Sequence, residues 1–204
     1  MTNVTIIGAG NMGAALARLA LAGGNTVQVL ARDEEKAQVH PEASTGVVGN
    51  TIAGDLVILA LPYPAVADVL ATYADQLDGK VLVDLTNPLD FATFDGLVVP
   101  ADSSAAAEIA TLAPASVVLK AFNTNFAATL ASGTVGDART TVLIAGDDAD
   151  AKATLSALVE AGGLAAVDAG SLKRARELEA LGFLQLTLAA GEKTSWAGGF
   201  ALAG

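Results

Sequence analysis

Cysteine is absent from the 204 residues, and histidine and tryptophan occur once each, as His40 and Trp196. No disulfide, thiolate nucleophile, iron–sulfur cluster or cysteine-held zinc can form, and a histidine-rich metal site is ruled out with them. Basic residues are also scarce, 11 against 22 acidic ones, for a formal charge of -11. Few cations remain to be gathered into a polyanion-binding face, so no nucleic-acid partner is expected. Long apolar runs are missing too, although 52% of the residues are hydrophobic and the mean hydropathy is +0.51. The longest, such as 56–61 and 142–145, fall well short of the roughly 20 residues that span a bilayer. They read as strands buried on both faces. The opening MTNVTIIGAG lacks the basic flank and small-residue cleavage site of a signal peptide. A cytoplasmic location without a membrane partner is the expectation.

What the sequence does contain is alternation. Short β-branched runs at 4–7, 26–30, 56–60, 81–85, 117–120, 141–145 and 164–167 are separated by helical patterns at 11–22, 63–76, 103–112 and 148–161. That rhythm marks βαβ units and a parallel sheet. The fold class expected is α/β, a Rossmann doubly wound parallel sheet with a small C-terminal helical lobe. Residues 1–168 would form the nucleotide-binding domain and 169–204 the lobe. In the lobe, 171–190 is the longest helical pattern, and Leu172, Leu178, Leu181, Leu184, Leu186 and Leu188 bring more apolar surface than one sheet face needs. It should cap the sheet or meet a partner. The tail 191–204 has no helical period and reads as loop or short strands.

Gly8-Ala9-Gly10-Asn11-Met12-Gly13 follows a strand and opens a helix. This is the setting in which G-x-G-x-x-G binds a dinucleotide. Gly8 permits the tight turn, Gly10 lets the backbone approach a pyrophosphate, and Gly13 lets the helix lie close to the strand. The phosphates then face the free N–H groups at the helix N-terminus. The second strand ends in Ala31-Arg32-Asp33, with Lys36 one turn on. An arginine there pairs with the 2′-phosphate of NADP, whereas an acid would bond the ribose of NAD. Arg32 and Lys36 favour NADP(H); Asp33 keeps the alternative open.

Three loops lie at the carboxyl ends of later strands, where the redox end of the cofactor belongs. They are Leu61-Pro62-Tyr63-Pro64, Thr86-Asn87-Pro88 and Lys120-Ala121-Phe122-Asn123-Thr124. Asn123 and Thr124 offer an amide and a hydroxyl for a carboxamide. No acid–base dyad accompanies these loops: Asp84 ends a buried strand, Asp90 and Asp95 sit in a polar loop, and Lys120 has no partner near it in sequence. Hydride passing between two rings needs closeness and exclusion of water rather than a positioned acid. No catalytic side chain and no metal ligand is therefore assigned. Two other readings stay open: a redox sensor that binds NADP(H) without turnover, and a dehydrogenase of small carbonyl compounds in which Lys120 or Tyr63 donates the proton.

These motifs make the chain similar to the NADPH-dependent F420 reductases, and more distantly to the cytosolic domain of the six-transmembrane STEAP ferric reductases. IIGAGNMG, ARDEEKA, LPYPAV, LVDLTNP, KAFNT, AGDD and VDAGSLKRARELEAL carry the resemblance along nearly the whole chain. It implies that Arg32 and Lys36 hold the 2′-phosphate, with Ala31 where the family often has a hydroxyl residue. It also implies that Pro62, Asn87, Pro88 and Asn123 surround the nicotinamide, and Leu61, Tyr63 and Val66 are expected among the cofactor-binding residues. The segment from Ser171 would cover a second ring and mediate homodimerisation. That ring would be the deazaflavin coenzyme F420, FAD or FMN, carried by a soluble partner because no membrane helix is present.

Overall fold

The computed structural model describes residues 1–202, so the last two residues of the expected tail lie outside the described residues. Strand β1 (Asn3–Ile7) leads into helix α1 (Asn11–Ala22), and β2 (Thr26–Ala31) is followed by the short α2 (Glu34–Ala37) and β3 (Ser44–Val47). Next come β4 (Leu56–Leu59), α3 (Val66–Thr72), β5 (Val81–Asp84), α4 (Ala105–Leu112), β6 (Val117–Lys120) and α5 (Ala127–Ser132). A small hairpin of β7 (Thr134–Val135) and β8 (Ala138–Arg139) precedes β9 (Thr141–Gly146), α6 (Ala149–Ala161), β10 (Ala165–Gly170) and α7 (Ala175–Ala190).

Eight strands form one sheet in the order β10-β9-β6-β5-β4-β1-β2-β3. From β3 to β6 every pairing is parallel. The chain steps from β1 to β2 on one side and reaches β4 on the other, so the glycine loop after β1 opens at the switch point where ligands bind in such sheets. The sheet is mostly parallel, as expected; at its outer pair β9 runs antiparallel to β6 while β10 is parallel to β9. The cause is the connection: α5 and the β7–β8 hairpin stay at the end where β6 finishes, so β9 enters the sheet from that same end.

Strand periodicity explains the two cores. In β4, Leu56 and Ile58 face one apolar layer with Leu16, Leu19 and Leu155, while Val57 and Leu59 face the other with Leu70, Tyr73 and Ile109. A run apolar at every position is what burial on both faces demands. Each such fully buried side chain contributes about 1.5–3 kcal/mol relative to exposure. Helix ends follow local chemistry. Asp148 accepts from the Ala151 amide at the start of α6, and Ser104 from the Ala107 amide at the start of α4. The pattern expected as one helix over 63–76 is divided into a 3-10 turn at Tyr63–Ala65, α3, and a second 3-10 turn at Ala74–Gln76. Pro64 lies in the first of these, where proline favours a start rather than a continuation.

The C-terminal segment is knit into the sheet domain. β10 runs through Gly170, two residues past the boundary expected from sequence, and Ala175 of α7 belongs to a core layer. The exposed side of α7 keeps Leu184 open to solvent, in line with the surplus of leucine. Among the described residues no helix is long and apolar enough to cross a membrane.

Candidate functional site

The glycine loop has the geometry its spacing implies. Gly8 sits at φ +114, and a Cβ on it would fall 2.0 Å from the Ala60 carbonyl oxygen. A Cβ on Gly13 would fall 2.0 Å from the Gly8 carbonyl oxygen, whereas one on Gly10 would meet nothing within 4 Å. Two glycines are thus needed by the fold, and the third faces open space of the kind a pyrophosphate fills. Gly10 caps α1, no acid lies in its first turn, and the first amide bonded back is Ala14, to the Gly10 carbonyl at 2.9 Å. The Asn11 and Met12 amides precede that bond and remain for an anion. The residues present fit a dinucleotide.

At the end of β2, Arg32 and Lys36 are exposed and neither forms an ion pair among the described residues. Asp33 accepts from the Glu35 amide at 3.0 Å, so its carboxylate is engaged in starting α2. That leaves the guanidinium as the group free to meet an adenosine substituent. Ala31 is buried and offers no hydroxyl.

A cavity of about 450 Å³ lies beyond the loop. Asn11 and Met12 line one side, Leu61, Pro62 and Tyr63 another, and Asn87 and Asn123 meet them from the ends of β5 and β6. Those expected residues are brought together. Pro88 and Val66 are not in the lining. Pro88 is buried with its carbonyl accepting from Val98 at 2.8 Å, and Val66 packs in the core at the start of α3. Thr86 of the quoted loop joins the lining, and the structure adds Phe91, Asn125, Phe126, Leu186 and Trp196, which no motif singled out. Asn125 directly follows the quoted KAFNT; Leu186 and Trp196 come from α7 and the tail, with no local signal.

The two asparagines are locked together. Asn87 donates to the Asn123 carbonyl at 2.9 Å, and the Asn123 amide donates to Asn87 Oδ1 at 2.9 Å and to the Leu178 carbonyl at 2.8 Å. Gly182 allows this approach, since a Cβ there would lie 2.4 Å from Asn87 Oδ1. Phe122, next in line, is fully buried at φ 64, a left-handed conformation held by its surroundings that turns the chain toward the cavity.

Beneath the lining lies a buried ion cluster that local sequence did not disclose. Lys120 Nζ is 2.7 Å from Asp84 Oδ2 and 2.8 Å from Glu179 Oε1, and donates to the Thr86 carbonyl at 2.6 Å. Lys120 therefore has two partners, one of them 59 positions along the chain. Glu179 also accepts from the Ala105 and Ala106 amides at the start of α4. Burial pushes the Glu179 carboxyl above its ordinary range, with the charge of Lys120 working against it. Wholly enclosed, Lys120 is not a proton donor to the cavity. The Tyr63 hydroxyl donates to the Glu108 carboxylate, and burial together with that bond pushes its pKa up. Among the described residues the cavity wall holds no carboxylate, lysine or histidine.

Residues 3–88 match the family described as NADP oxidoreductase, coenzyme F420-dependent. The metalloreductase STEAP3 of Rattus norvegicus is 34% identical over 180 residues, covering 87% of this chain and 36% of that protein. The chain thus spans about a third of that relative's length. The F420-dependent NADP reductase of Methanocaldococcus jannaschii is 28% identical, over 85% of this chain and 86% of its own. A solved structure from Arthrobacter sp. FB24, provisionally described as an F420-dependent NADP reductase, superposes with a TM-score of 0.88 at 25% identity over 100% of both chains.

Proposed function

We propose, from the match of residues 3–88 to the family described as NADP oxidoreductase, coenzyme F420-dependent, that this chain passes a hydride between NADPH and the planar ring of a deazaflavin or a flavin. One observation carries the reading. A cavity of ligand size adjoins an open dinucleotide loop, and its described wall offers no free proton donor of the kind alcohol or carbonyl chemistry requires.

NADPH, when bound, supplies the hydride. The chain's own groups hold and shield. The Asn11 and Met12 amides and the open face of Gly10 receive the pyrophosphate, and Arg32 with Lys36 takes the 2′-phosphate. Pro62 stiffens one wall, the Asn87–Asn123 pair fixes the other, and the apolar side chains of Leu61, Phe126 and Leu186 exclude water. Closeness and dryness are what ring-to-ring transfer needs. Tyr63, tied to Glu108, keeps its proton and acts as a wall rather than an acid. The row Leu181, Leu184 and Leu188 on α7 shares one helical face and supports a homodimer contact.

Anaerobic stopped-flow mixing of the protein and NADPH with F420, FAD or FMN tests the reading. The expected result is simultaneous loss of NADPH and reduction of at least one ring. Absence of transfer to all three overturns it.

A further inference from the structure

Aromatic side chains make up 4% of the chain, nine in all, yet five of them line the same cavity: Tyr63, Phe91, Phe122, Phe126 and Trp196. Chance placement in so aromatic-poor a sequence would scatter them through the core. Phe91 and Trp196 are also 62% and 52% exposed at the cavity mouth, where their faces lack a full set of packing partners. Trp196 lies 5.1 Å from Phe126, tilted by 54°, so one face is supported from within the protein. Planar ligands stack on such surfaces.

The polar atoms add a second, independent constraint. Three buried side-chain atoms have no hydrogen-bond partner among the described residues, Thr86 Oγ1, Asn123 Oδ1 and Asn125 Oδ1, and all three residues line this cavity. The orientation of Asn125 is set by its other end, which donates to the Thr141 carbonyl at 3.0 Å. A carbonyl only accepts, so the atom left over is an acceptor. Buried acceptors without partners are costly, and one carried by a residue in the wall of a ligand-sized cavity calls for an N–H from the ligand. No charged side chain lines the described wall to balance an ionised ligand.

We infer that Asn125, Phe126, Phe91 and Trp196 form the subsite for the second ring, and that it selects a neutral planar heterocycle presenting an N–H at its edge to Asn125 Oδ1. The inference rests on the two-ring reading above and goes beyond it in naming the residues and the chemical feature they select. Flavins and deazaflavins carry such an N–H on the pyrimidine ring. The carboxamide of nicotinamide carries N–H groups too, and Asn123, held beside Asn87, is the acceptor placed for it.

Trp196 is the only tryptophan and so reports occupancy by its own fluorescence. The whole protein is titrated with riboflavin and with riboflavin methylated at the pyrimidine N3. Riboflavin should quench Trp196, and the methylated ring should bind about tenfold more weakly or worse, because the acceptor is then left unpaired. Asn125→Ala should abolish that preference while leaving the ratio of affinities for NADP and its acetylpyridine analogue, which lacks the carboxamide, unchanged. Trp196→Leu, followed through the flavin's own fluorescence, should weaken riboflavin about fivefold.

Equal binding of the two flavins by the unaltered protein overturns the inference. So does an Asn125→Ala variant that changes the NADP ratio and not the flavin ratio, for Asn125 would then serve the nicotinamide. Hydride transfer to both flavins with equal affinity removes the subsite alone, whereas a riboflavin that does not quench Trp196, together with absence of transfer to F420, FAD and FMN, removes the two-ring reading as well.

Discussion

At Gly10 an added methyl group would meet no protein atom within 4 Å, whereas at Gly13 it would lie 2.0 Å from the Gly8 carbonyl oxygen. The two substitutions should therefore fail in different ways. Gly10→Ala should leave the unfolding free energy nearly unchanged but weaken NADPH by roughly tenfold or more, since the methyl occupies the space of the pyrophosphate. Gly13→Ala should cost about 2 kcal/mol of stability, because helix and strand must separate to admit it. Calorimetric binding beside chemical denaturation distinguishes them. Arg32 is the corresponding residue for cofactor choice. With Asp33 engaged at the α2 cap, Arg32→Ser should weaken NADPH by roughly ten- to a hundredfold, the loss of charge-assisted hydrogen bonds, and leave NADH almost unaffected. Equal losses for both would place the arginine away from the 2′-phosphate.

Helix α7 is bound to the sheet by charge as well as by packing. Lys120 joins Asp84 of β5 to Glu179 of α7, and Glu179 in turn receives two amides from α4. Lys120→Met would leave two buried carboxylates without their cation and should cost about 3–5 kcal/mol in denaturant unfolding. The Glu179 carboxyl is raised in the folded chain, chiefly by burial. Folded protein therefore retains this proton at a pH where unfolded protein has lost it. The group's contribution to stability is complete below its ordinary value near 4.5 and declines as pH rises through the raised folded value. Glu179→Gln, which cannot titrate, should flatten that part of the pH–stability curve. A variant whose stability still falls with pH as steeply as the parent's would assign the slope to other groups.

Over the whole molecule, the surplus of acidic residues surrounds a neutral, largely apolar cavity. The charge is thereby set apart from the cavity. Leu184 on α7 is one of several large apolar side chains left exposed. If α7 faces α7 in a homodimer, Leu184→Asp should convert the protein to monomer in sedimentation velocity runs while leaving its helical content intact. An unchanged sedimentation coefficient would put the interface elsewhere.

The order of strands and helices and the dinucleotide loop were readable from the amino acids alone, because each is local. Apolar β-branched runs and helical patterns specify elements, and G-x-G-x-x-G between strand and helix marks a loop in which Gly13 is demanded by the Gly8 carbonyl five residues back, while Gly8 is pressed by the Ala60 carbonyl brought in from beyond β4. Pro62, Tyr63, Asn87 and Asn123 were legible as strand-end loops converging on one edge. The tertiary structure alone decided the antiparallel entry of β9, the position of Pro88 and Val66 behind the cavity wall, and the arrival of Trp196 and Glu179. The reason is distance along the chain. Glu179 meets Lys120, and Asn123 meets Leu178, only after α7 has folded back across the sheet, and no pattern of neighbours in sequence encodes which of several glutamates or leucines that will be.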